Sequence, residues 1–516
     1  MEIVANGQAL LVQTRAPERI TNAIKQSKYI KEVEEGIHQV LVKWTLKTAQ
    51  TLRSLKIKNV PSPISREYRW PGMFKPFTHQ KQTAEFLTLH KKAFCFSEQG
   101  TGKTGSAIWA ADYLMEKKII RRVLVIAPLS ILQSAWQSEL FKLVMHRSVG
   151  IAHGQPAKRK DIIRGDYDFV IINYDGVDIV SKEIAEGGFD LIIVDEANAY
   201  KSTSTKRWKV LNKLVGPETW CWMMTGTPAA QSPVDAYGLA RIINPAETPK
   251  YFGTFRDLVM FKVGMFKWIP RPRAEQHVYK LLQPALRHTK EECLDLPEMT
   301  YQHREVDMTA QQHKYYNLLK SQMLMAAAGE EITAVNAAVL MNKLLQISAG
   351  SVYADSKDTI EFDASNRLRV LREIIEESSN KVLVFANFTH SIDQIAAYLD
   401  SEGISQQIID GRVSGNKRHL IIKRFQETEE PRVLIIQPQA AAHGITLTKA
   451  NTVVWFSPVT SLENYLQANA RVHRAGQINK VTVIHIQGSP VEKRIYKMLE
   501  DRVNVHTKII ELYKEI

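Results

Sequence analysis

Short, continuous apolar runs rich in valine and isoleucine recur in two separate parts of this chain, with longer helix-like stretches between them. The first series is VLVIAP (123–128), FVIINY (169–174), LIIVDE (191–196) and WCWMMTGTP (220–228). The second series is KVLVFAN (381–387), QQIIDG (406–411), RVLIIQ (432–437), TVVWFS (452–457) and VTVIHI (481–486). Strands that are apolar on both faces are typical of parallel sheets covered by helices. The sequence therefore predicts two α/β domains in tandem.

Length and charge narrow the class of protein further. A chain of 516 residues is long enough for roughly three domains, which excludes a single small binding module. It carries 68 Lys and Arg against 54 Asp and Glu, a net charge of +14 that favours a polyanionic partner such as nucleic acid. The same surplus could serve solubility alone.

Cysteine usage and hydropathy indicate the compartment. Cys95, Cys221 and Cys293 lie far apart and show no C-x-x-C spacing, so neither a cysteine-based zinc site nor a disulfide framework is indicated. The N-terminus has no basic region followed by a long apolar stretch, and the longest apolar runs are too short to cross a membrane. We therefore expect an intracellular protein that is not secreted and has no membrane partner.

A glycine-rich string, SEQGTGKT (97–104), follows the apolar run AFCF and precedes a helix-like stretch. Such a loop binds phosphate oxygens through backbone N–H groups, while the lysine neutralises phosphate charge and the last hydroxyl can bind Mg²⁺ at the helix N-terminus. The candidate residues are Gly100, Thr101, Gly102, Lys103 and Thr104. The usual pattern has glycine where Ser97 stands. The alternative is a glycine turn before a helix.

Two further strings suit the second half of a nucleotide site. Asp195 and Glu196 follow LIIV at a predicted strand end, where Asp195 would hold Mg²⁺ and Glu196 would orient and deprotonate the attacking water. Thr225 and Thr227 lie in TGTP (225–228), also at a predicted strand end, and their hydroxyls could couple the nucleotide site to another surface. A structural turn is an equally good explanation of the second string.

The string QANARVHRAGQ (467–477) places two arginines three residues apart. On a helix, Arg471 and Arg474 would share one face, which suits two guanidinium groups directed at one triphosphate. An exposed basic helix face is the alternative.

Taken in order, these strings resemble the motifs of helicase superfamily 2, and within it the Swi/Snf-type DNA-dependent ATPases, over about residues 74–500. SEQGTGKT is similar to motif I, APLSILQSAW (127–136) to motif Ia, DEAN (195–198) to motif II, TGTP to motif III and QANARVHRAGQ to motif VI. KPFTHQ (75–80) is similar to the adenine-reading Q motif, and AAAHGITL (440–447) keeps one glycine of the usual pair. HGITL and KLLQISAGSVY (343–353) look closest to annealing-helicase, fork-remodelling and viral members.

The resemblance implies two tandem RecA-like lobes with helical insertions, with ATP in the cleft between the lobes and Mg²⁺ as cofactor. It implies Lys103, Glu196, Arg471 and Arg474 as catalytic residues, the last two as arginine fingers. Further implied roles are adenine contact by Gln80, metal binding by Thr104 and Asp195, and coupling or DNA contact by Thr225, Thr227, Gly444 and Gln467. The implied activity is ATP-driven translocation on duplex or branched DNA, as a monomer. The alternatives are a strand-separating helicase that tracks one strand of DNA or RNA, and a nucleic-acid-binding scaffold without turnover.

Four segments are predicted along the chain. An N-terminal accessory domain (1–70) precedes lobe 1 (71–305), which includes a basic aromatic insert (about 247–290), and a helical protrusion or linker (306–365) precedes lobe 2 (366–516). Residues 1–70 carry twelve Lys and Arg against six Glu and end in a Pro-rich, linker-like string, which favours a tethered DNA-selecting module. The alternative is a structural brace, because their apolar residues recur at near-helical spacing and must be buried. The insert could grip DNA or form a packed subdomain with a charged outer face.

Overall fold

The computed structural model describes residues 1–226, 229, 232–264, 268–293, 296–327, 334–353, 359–441 and 445–501. The chain divides into unit 1, Met1–Thr289, and unit 2, Lys290–Ile516. Within the described ranges, every helix is too short or too polar to cross a membrane.

The chain begins with an antiparallel sheet rather than with helices. Its strands are β1 (Glu2–Val4), β2 (Ala9–Thr14), β3 (Lys28–Glu34) and β4 (Ile37–Lys43), in the order β1-β2-β4-β3, with α1 (Pro17–Ala23) inserted. The near-helical spacing predicted here is therefore wrong for β3 and β4. Val40, Val42 and Trp44 are buried at alternate positions, which is the period of a strand, and Gly36 adopts φ +71° in the turn between the two strands.

Residues 1–70 share a hydrophobic core with the rest of unit 1. After the sheet come α2 (Leu46–Ser54) and α3 (Ile64–Glu67). One continuous cluster contains Val12, Val42 and Leu52 together with Trp109 and Tyr113 of the following region. The Pro-rich string is not an open linker, because Val60, Ser62, Ile64 and Tyr68 are buried. The Tyr68 hydroxyl donates to Asp112 Oδ2 at 2.6 Å, and the Tyr113 hydroxyl donates to Glu67 Oε2 at 3.1 Å. These contacts support the structural-brace alternative.

Deletion of residues 1–70 is expected to give an aggregated or molten product. Each buried Leu or Val side chain contributes about 1.5–3 kcal/mol to stability. The free energy of unfolding of a domain is only about 5–15 kcal/mol, so loss of all the buried side chains of residues 1–70 would exceed it. Size-exclusion chromatography and thermal melting by circular dichroism would measure the effect. Deletion of residues 1–4 alone, which removes the exposed edge strand β1, is the control. A cooperative melt of the 1–70 deletion close to that of the full chain would contradict the shared core.

The main sheet of unit 1 is parallel. Its strands are β5 (Lys92–Cys95), β6 (Val123–Ala127), β7 (Val149–Ala152), β8 (Phe169–Asn173), β9 (Leu191–Asp195) and β10 (Trp220–Met224), joined at one edge by a strand described below. The helices are α4 (Thr78–Leu89), α5 (Lys103–Glu116), α6 (Ser138–Leu143), α7 (Pro156–Arg164), α8 (Tyr174–Ile179), α9 (Ser181–Glu186), α10 (Lys206–Leu214) and α11 (Ala236–Ile243). Val123 and Val125 lie in one core cluster, whereas Leu124 and Ile126 lie in another. Both faces are therefore covered, as the continuous apolar runs predict.

The basic aromatic insert forms a small packed subdomain. It contains α12 (Phe252–Val259), the hairpin β11 (Met260–Lys262) and β12 (Trp268–Pro270), α13 (Ala274–Leu281) and the edge strand β13 (Ala285–Leu286). Phe255, Val259 and Val278 join the hydrophobic core on one face of the main sheet, while Tyr251 and Tyr279 are exposed. The observed packing favours a subdomain with a charged outer face. The sheet order is β13-β5-β10-β9-β6-β8-β7.

Unit 2 contains a second parallel sheet. Its strands are β14 (Met299–Glu305), β17 (Lys381–Phe385), β18 (Gln406–Ile409), β19 (Val433–Ile436), β20 (Ala450–Trp455) and β21 (Val481–Gln487), in the order β14-β21-β20-β17-β19-β18. A separate hairpin consists of β15 (Ser351–Tyr353) and β16 (Thr359–Glu361). The five apolar runs of the second series form β17 to β21, and the predicted α/β class with two tandem parallel-sheet lobes is confirmed. The predicted lobe boundary at residue 305 comes after β14, whereas the structure divides the chain between residues 289 and 290.

The helices of unit 2 are α14 (Lys290–Cys293), α15 (Ala310–Ala327), α16 (Ala334–Ala349), α17 (Ser365–Glu377), α18 (Thr389–Ser401), α19 (Gly415–Glu427), α20 (Pro438–Ala441), α21 (Leu462–Asn469) and α22 (Pro490–Glu500). The segment predicted as a helical protrusion or linker, 306–365, contains α15 and α16. A buried ion pair of 2.7 Å joins Arg367 on α17 to Glu492 in the first turn of α22. Removing either partner would leave a buried charge unpaired, so this pair fixes how the two helices pack.

Candidate functional site

The glycine-rich string forms a tight loop between β5 and α5. Gly100 and Gly102 have φ of +87° and +78°, and Gly102 is the N-cap of α5. The positive φ favours glycine at position 102, and a Cβ atom there would also displace the side-chain amide of Gln80. The free N–H groups of the first turn of α5 consequently face the loop, as in a phosphate-binding site.

The Lys103 side chain contacts the backbone of the glycine-rich loop. Its Nζ donates to the carbonyl oxygens of Ser97 at 2.6 Å and Glu98 at 3.4 Å. Thr101 is buried, and its hydroxyl donates to the carbonyl of Glu98 at 2.8 Å. Thr104 lies one residue further along, in the first turn of α5. The loop is therefore closed by its own side chains, with the lysine charge at its centre.

Gln80 lies beside the same loop. Its Nε2 donates to the Gly102 carbonyl at 3.4 Å, and its Oε1 accepts from the Phe77 backbone N–H at 2.9 Å. The neighbouring His79 is buried, and its Nε2 contacts the Thr101 carbonyl at 2.8 Å. The structure thus places Gln80 on the phosphate-loop backbone.

The acidic pair lies at the end of β9. Asp195 is buried, and its Oδ2 accepts from the Trp136 indole N–H at 2.9 Å, while its Oδ1 accepts from the Glu196 backbone N–H at 3.0 Å. The Tyr174 hydroxyl donates to the carbonyl of Asp195 at 2.7 Å. Burial, with the nearby carboxylates of Asp195 and Glu196, raises the pKa of Tyr174 well above its usual value, so the phenol stays protonated as a donor.

Glu196 has left-handed backbone dihedrals, φ 47° and ψ 54°. A residue with a Cβ atom adopts this conformation at a cost of about 1–2 kcal/mol. The turn ends β9 abruptly, so that two consecutive carboxylates follow the strand in different directions. Strain at a non-glycine residue is typical of functional sites.

Three strand ends bring these groups together. Strand β10 pairs with both β5 and β9, so that Met224 lies level with Cys95 and with Asp195. The backbone N–H of Thr225, which is buried, donates to the Cys95 carbonyl at 3.0 Å. The Gln99 side chain donates from Nε2 to Glu196 Oε1 at 3.3 Å. The phosphate loop, the acidic pair and Thr225 therefore meet at one edge of the sheet, where ligands of α/β proteins bind.

The edge strand β13 also contacts this loop. The backbone N–H groups of Phe96 and Glu98 donate to the carbonyls of Leu286 at 2.8 Å and His288 at 2.9 Å. The His288 N–H donates to Ser97 Oγ at 3.1 Å. Ser97 is buried, so its hydroxyl satisfies a backbone donor that glycine at this position would leave without that acceptor.

Arg471 and Arg474 lie in unit 2, beyond the end of a helix. The prediction that they share a helix face is wrong, because α21 ends at Asn469 and turns follow it. The Arg471 carbonyl accepts from Leu447 N at 2.9 Å, a tertiary contact that holds this segment in its turns. Arg471 is buried and its Nε donates to the Ala441 carbonyl at 2.9 Å. Arg474 Nη1 donates to the Ile445 carbonyl at 3.2 Å.

The remaining predicted residues fall in two groups. Gln467 is buried on α21, and its Nε2 donates to Glu463 Oε1 at 3.1 Å. Thr227 and Gly444 lie outside the described residues. The two arginines nevertheless donate to the carbonyls of Ala441 and Ile445, which are described residues of the AAAHGITL string.

Sequence reasoning did not identify several side chains of the site. Trp136 and Gln99 contact the acidic pair. Tyr174 binds the backbone of Asp195, and His79 contacts the backbone of the phosphate loop at Thr101. Trp136 lies in APLSILQSAW and Gln99 lies inside the phosphate loop, so both were within strings already singled out. Their contacts join residues 59 and 97 positions apart, which local spacing cannot reveal.

Replacement of Trp136 by phenylalanine is expected to lower the free energy of unfolding by about 1.5–3 kcal/mol, since a hydrogen bond to a buried carboxylate is lost while the aromatic packing is largely kept. Urea unfolding followed by circular dichroism would measure the loss. Trp109→Phe is the matched control: it removes a neutral hydrogen bond to the Pro71 carbonyl and should cost about 0.5–1.5 kcal/mol. Equal losses in the two variants would show that the hydrogen bond to Asp195 contributes no more to stability than the neutral hydrogen bond of Trp109.

Two family models match the chain. Residues 41–350 match the SNF2-related domain, and residues 366–476 match the helicase conserved C-terminal domain. Similar proteins include an uncharacterized ATP-dependent helicase of Mycoplasma genitalium, 25% identical over 425 residues that cover 80% of this chain and 40% of that protein. Another is the mouse chromodomain-helicase-DNA-binding protein 1-like, 26% identical over 493 residues that cover 89% of this chain and 53% of that protein. The chain thus spans about half the length of these curated relatives or less.

Among solved structures, the SWI2/SNF2 ATPase core of Sulfolobus solfataricus in complex with dsDNA is 22% identical, with a TM-score of 0.42, and covers 86% of this chain and 94% of that one. The SNF2-related model alone matches more than half of the 516 residues, and the helicase C-terminal model follows it in unit 2. The chain belongs to the SNF2-related family, with an SNF2-related domain followed by a helicase C-terminal domain.

Proposed function

We propose that this chain is a DNA-dependent ATPase that translocates on duplex or branched DNA, and that it remodels forks, anneals strands, migrates branches or displaces bound proteins. The observation that carries the proposal is the meeting of the phosphate loop, the acidic pair and Thr225 at one sheet edge, in a chain of the SNF2-related family. This geometry supplies the parts for hydrolysis of a nucleoside triphosphate.

Nucleotide binding is assigned to the phosphate loop. Gly100, Thr101 and Gly102 provide backbone donors, and Lys103 provides the charge for the β- and γ-phosphates. Binding would exchange the two carbonyl contacts of Lys103 for phosphate oxygens, which are charged and therefore stronger acceptors. Gln80 is assigned to the adenine, with its position on the loop backbone as support.

The acidic pair fits a magnesium ion. Asp195 offers a buried carboxylate at the end of β9, and carboxylate oxygens are ligands that Mg²⁺ accepts. Thr104 offers a hydroxyl in the first turn of α5, and oxygen ligands suit Mg²⁺. Asp195 and Thr104 would hold the ion, which would supply positive charge to the phosphates.

Glu196 is assigned as the residue that orients the attacking water and accepts its proton. The Gln99 amide donates to Glu196 Oε1, which holds the carboxylate in one orientation beside the phosphate loop. Arg471 and Arg474 are assigned to the charge that develops on the triphosphate during hydrolysis. Thr225, Thr227, Gly444 and Gln467 are assigned to coupling and DNA contact.

DNA would be held mainly through its phosphates, because a motor that moves along a duplex must contact every sequence equally. The net charge of +14 supports such binding. A strand-separating helicase is the second candidate, and the two differ in substrate. A duplex translocase displaces the third strand of a triplex and fails on a plain forked duplex, whereas a strand-separating helicase opens the fork.

ATP hydrolysis is expected to be stimulated by duplex and branched DNA more than by single strands, with displacement of a triplex third strand. DNA affinity should fall steeply and log-linearly with salt as counterions are released, with little dependence on base sequence. Phosphate release, triplex displacement and fluorescence anisotropy from about 50 to 200 mM salt would test this. A shallow salt slope with strong base preference would indicate a sequence-specific binder. Binding without turnover would indicate a scaffold.

A DNA-selecting role for residues 1–70 is a finer part of the proposal. Every residue of β3 is exposed, including Lys28 and Lys31. Since the segment also braces unit 1, selection is best tested without deletion. Lys28→Ser with Lys31→Ser should reduce stimulation by forks relative to plain duplex, whereas Lys209→Ser with Lys213→Ser, an equal loss of exposed charge on α10, should not.

A further inference from the structure

Two histidines and a glutamate converge on one face of the unit 2 sheet, and none of the three is among the residues assigned above. His303 on β14 pairs in register with His485 on the neighbouring parallel strand β21. Residues in register on adjacent strands point to the same face. Glu500 is the last residue of α22, the helix that follows β21. The fold itself therefore places three metal-binding residue types together, although 182 and 15 positions of sequence, counted from their numbers, separate them.

The distances suit a small tetrahedral ion. Glu500 Oε1 lies 2.9 Å from His485 Nδ1 and 3.3 Å from His303 Nε2, and the three atoms all lie within 4.8 Å of one another. Bonds of about 2.0–2.1 Å at tetrahedral angles place neighbouring ligand atoms about 3.4 Å apart. Two of the three separations are thus close to the spacing that a zinc-type ion requires, and the third is at most 4.8 Å.

The orientation of the His485 ring is fixed by its contacts with Tyr496 and Tyr465. His485 is fully buried, stacks on Tyr496 with ring centroids 4.2 Å apart, and has its Nε2 at 3.0 Å from the Tyr465 hydroxyl. Histidines that bind metals through one ring nitrogen commonly have the other nitrogen held in this way. Nδ1 is consequently directed at Glu500.

His485 Nδ1 and Glu500 Oε1 face each other without a satisfactory hydrogen bond. Despite their 2.9 Å separation, neither atom has a partner in hydrogen-bond geometry, and both are buried. Buried polar atoms without hydrogen-bond partners are uncommon in folded proteins, and a bound ion would satisfy both of these atoms.

We propose that His303, His485 and Glu500 form a structural site for one divalent transition-metal ion of the zinc type. Two imidazoles and a carboxylate suit Zn²⁺ and related ions better than Mg²⁺ or Ca²⁺, which prefer oxygen ligands alone. His303 is 41% exposed, so water can reach the fourth position. The ion joins the edge strand β14 to α22, the first strand and the last described helix of unit 2. Cysteine spacing gives no indication of this site, because its ligands are two histidines and a glutamate that lie far apart in sequence.

The test uses the full chain, freed of metal with EDTA and dialysed, in the absence of nucleotide and DNA. Zn²⁺ alone is titrated by isothermal titration calorimetry, and Co²⁺ by visible absorption, whose intensity reports tetrahedral coordination. The expected result is one ion per chain with tetrahedral Co²⁺ bands, and an increase of Tm on adding Zn²⁺.

Variants locate the ion. His303→Ala and Glu500→Gln should each weaken Zn²⁺ binding by more than about 100-fold, and Tyr465→Phe by about 10–100-fold as a positioning residue. His313→Ala, an exposed histidine on α15, should bind as the unmodified chain does. Because His303 lies on an exposed edge, His303→Ala should melt like the unmodified chain in EDTA and lose only the Zn²⁺-dependent increase in Tm. Absence of a one-to-one site, or unchanged binding in His303→Ala, would overturn the proposal in favour of a metal-free histidine–carboxylate cluster.

Discussion

Lys103→Ala is expected to abolish ATP turnover, with a loss of about 10³-fold or more in kcat/KM, and to weaken nucleotide binding at the same time. The lysine provides the positive side-chain charge at the centre of the phosphate loop, where its Nζ lies against the Ser97 carbonyl. Alanine leaves the glycine turns in place but removes the charge that attracts the β- and γ-phosphates. Phosphate-release kinetics and binding of a fluorescent ATP analogue would measure both effects.

The matched control is Lys91→Ala. Lys91 forms an exposed ion pair with Glu218 in the same unit, and exposed pairs contribute little to stability. This variant removes one lysine charge near the same sheet and should hydrolyse ATP normally. If Lys103→Ala retained turnover within a few fold of the control, the loop would not be the phosphate site.

Arg471→Ala is expected to lower kcat by about 10³-fold while leaving nucleotide binding largely intact. An arginine that acts on the transition state contributes about 10³–10⁵-fold to rate without holding the ground state. Arg471 belongs to unit 2, whereas the phosphate loop belongs to unit 1. Single-turnover hydrolysis and equilibrium binding of the analogue separate the two effects. Equal loss of nucleotide binding in Lys103→Ala and Arg471→Ala would contradict the division of roles.

Folding must be controlled in this variant, because Arg471 is buried and donates to the Ala441 carbonyl. Arg471→Lys keeps the charge but loses the planar fork, so it should remain well folded and still be slow. Arg369→Ala, which removes an exposed arginine of unit 2, should have the kcat of the unmodified chain. A slow Arg471→Lys with an unchanged Tm would assign the loss to chemistry rather than to unfolding.

The central strands could be predicted from sequence because a strand that is buried on both faces is apolar at nearly every position. The runs at β6, β8, β9 and β10, and at β17 to β21, are apolar throughout. Strand β14, MTYQHRE, has no such trace, since it lies at a sheet edge with most residues exposed or half-buried. The helical spacing predicted for the N-terminal hairpin is wrong because the apolar residues of its two strands and turn together resemble a helical period, although the buried residues of β4 alternate.

The candidate site divides in the same way. The phosphate loop and the acidic pair are each contiguous in sequence, so the spacing of their residues is enough to predict their roles. The helix predicted for Arg471 and Arg474 failed because a three-residue spacing is compatible with turns as well, and the contact between Leu447 and Arg471 decides between them. Trp136 reaches Asp195 only after the sheet has formed. Contacts of this kind depend on the topology of the sheet, and no local sequence pattern predicts them.

The strand β13, which pairs with β5 beside the phosphate loop, ends at Leu286, three residues before the end of unit 1. Glu98 of the loop is bonded through its backbone to His288, and Thr289 follows as the final residue of the unit. The covalent tether between the units is thus anchored to the loop itself. A main-chain displacement at Glu98 reaches the tether through one hydrogen bond and needs no relay of side chains. Displacement of the chain at His288 would therefore act directly on the backbone of Glu98.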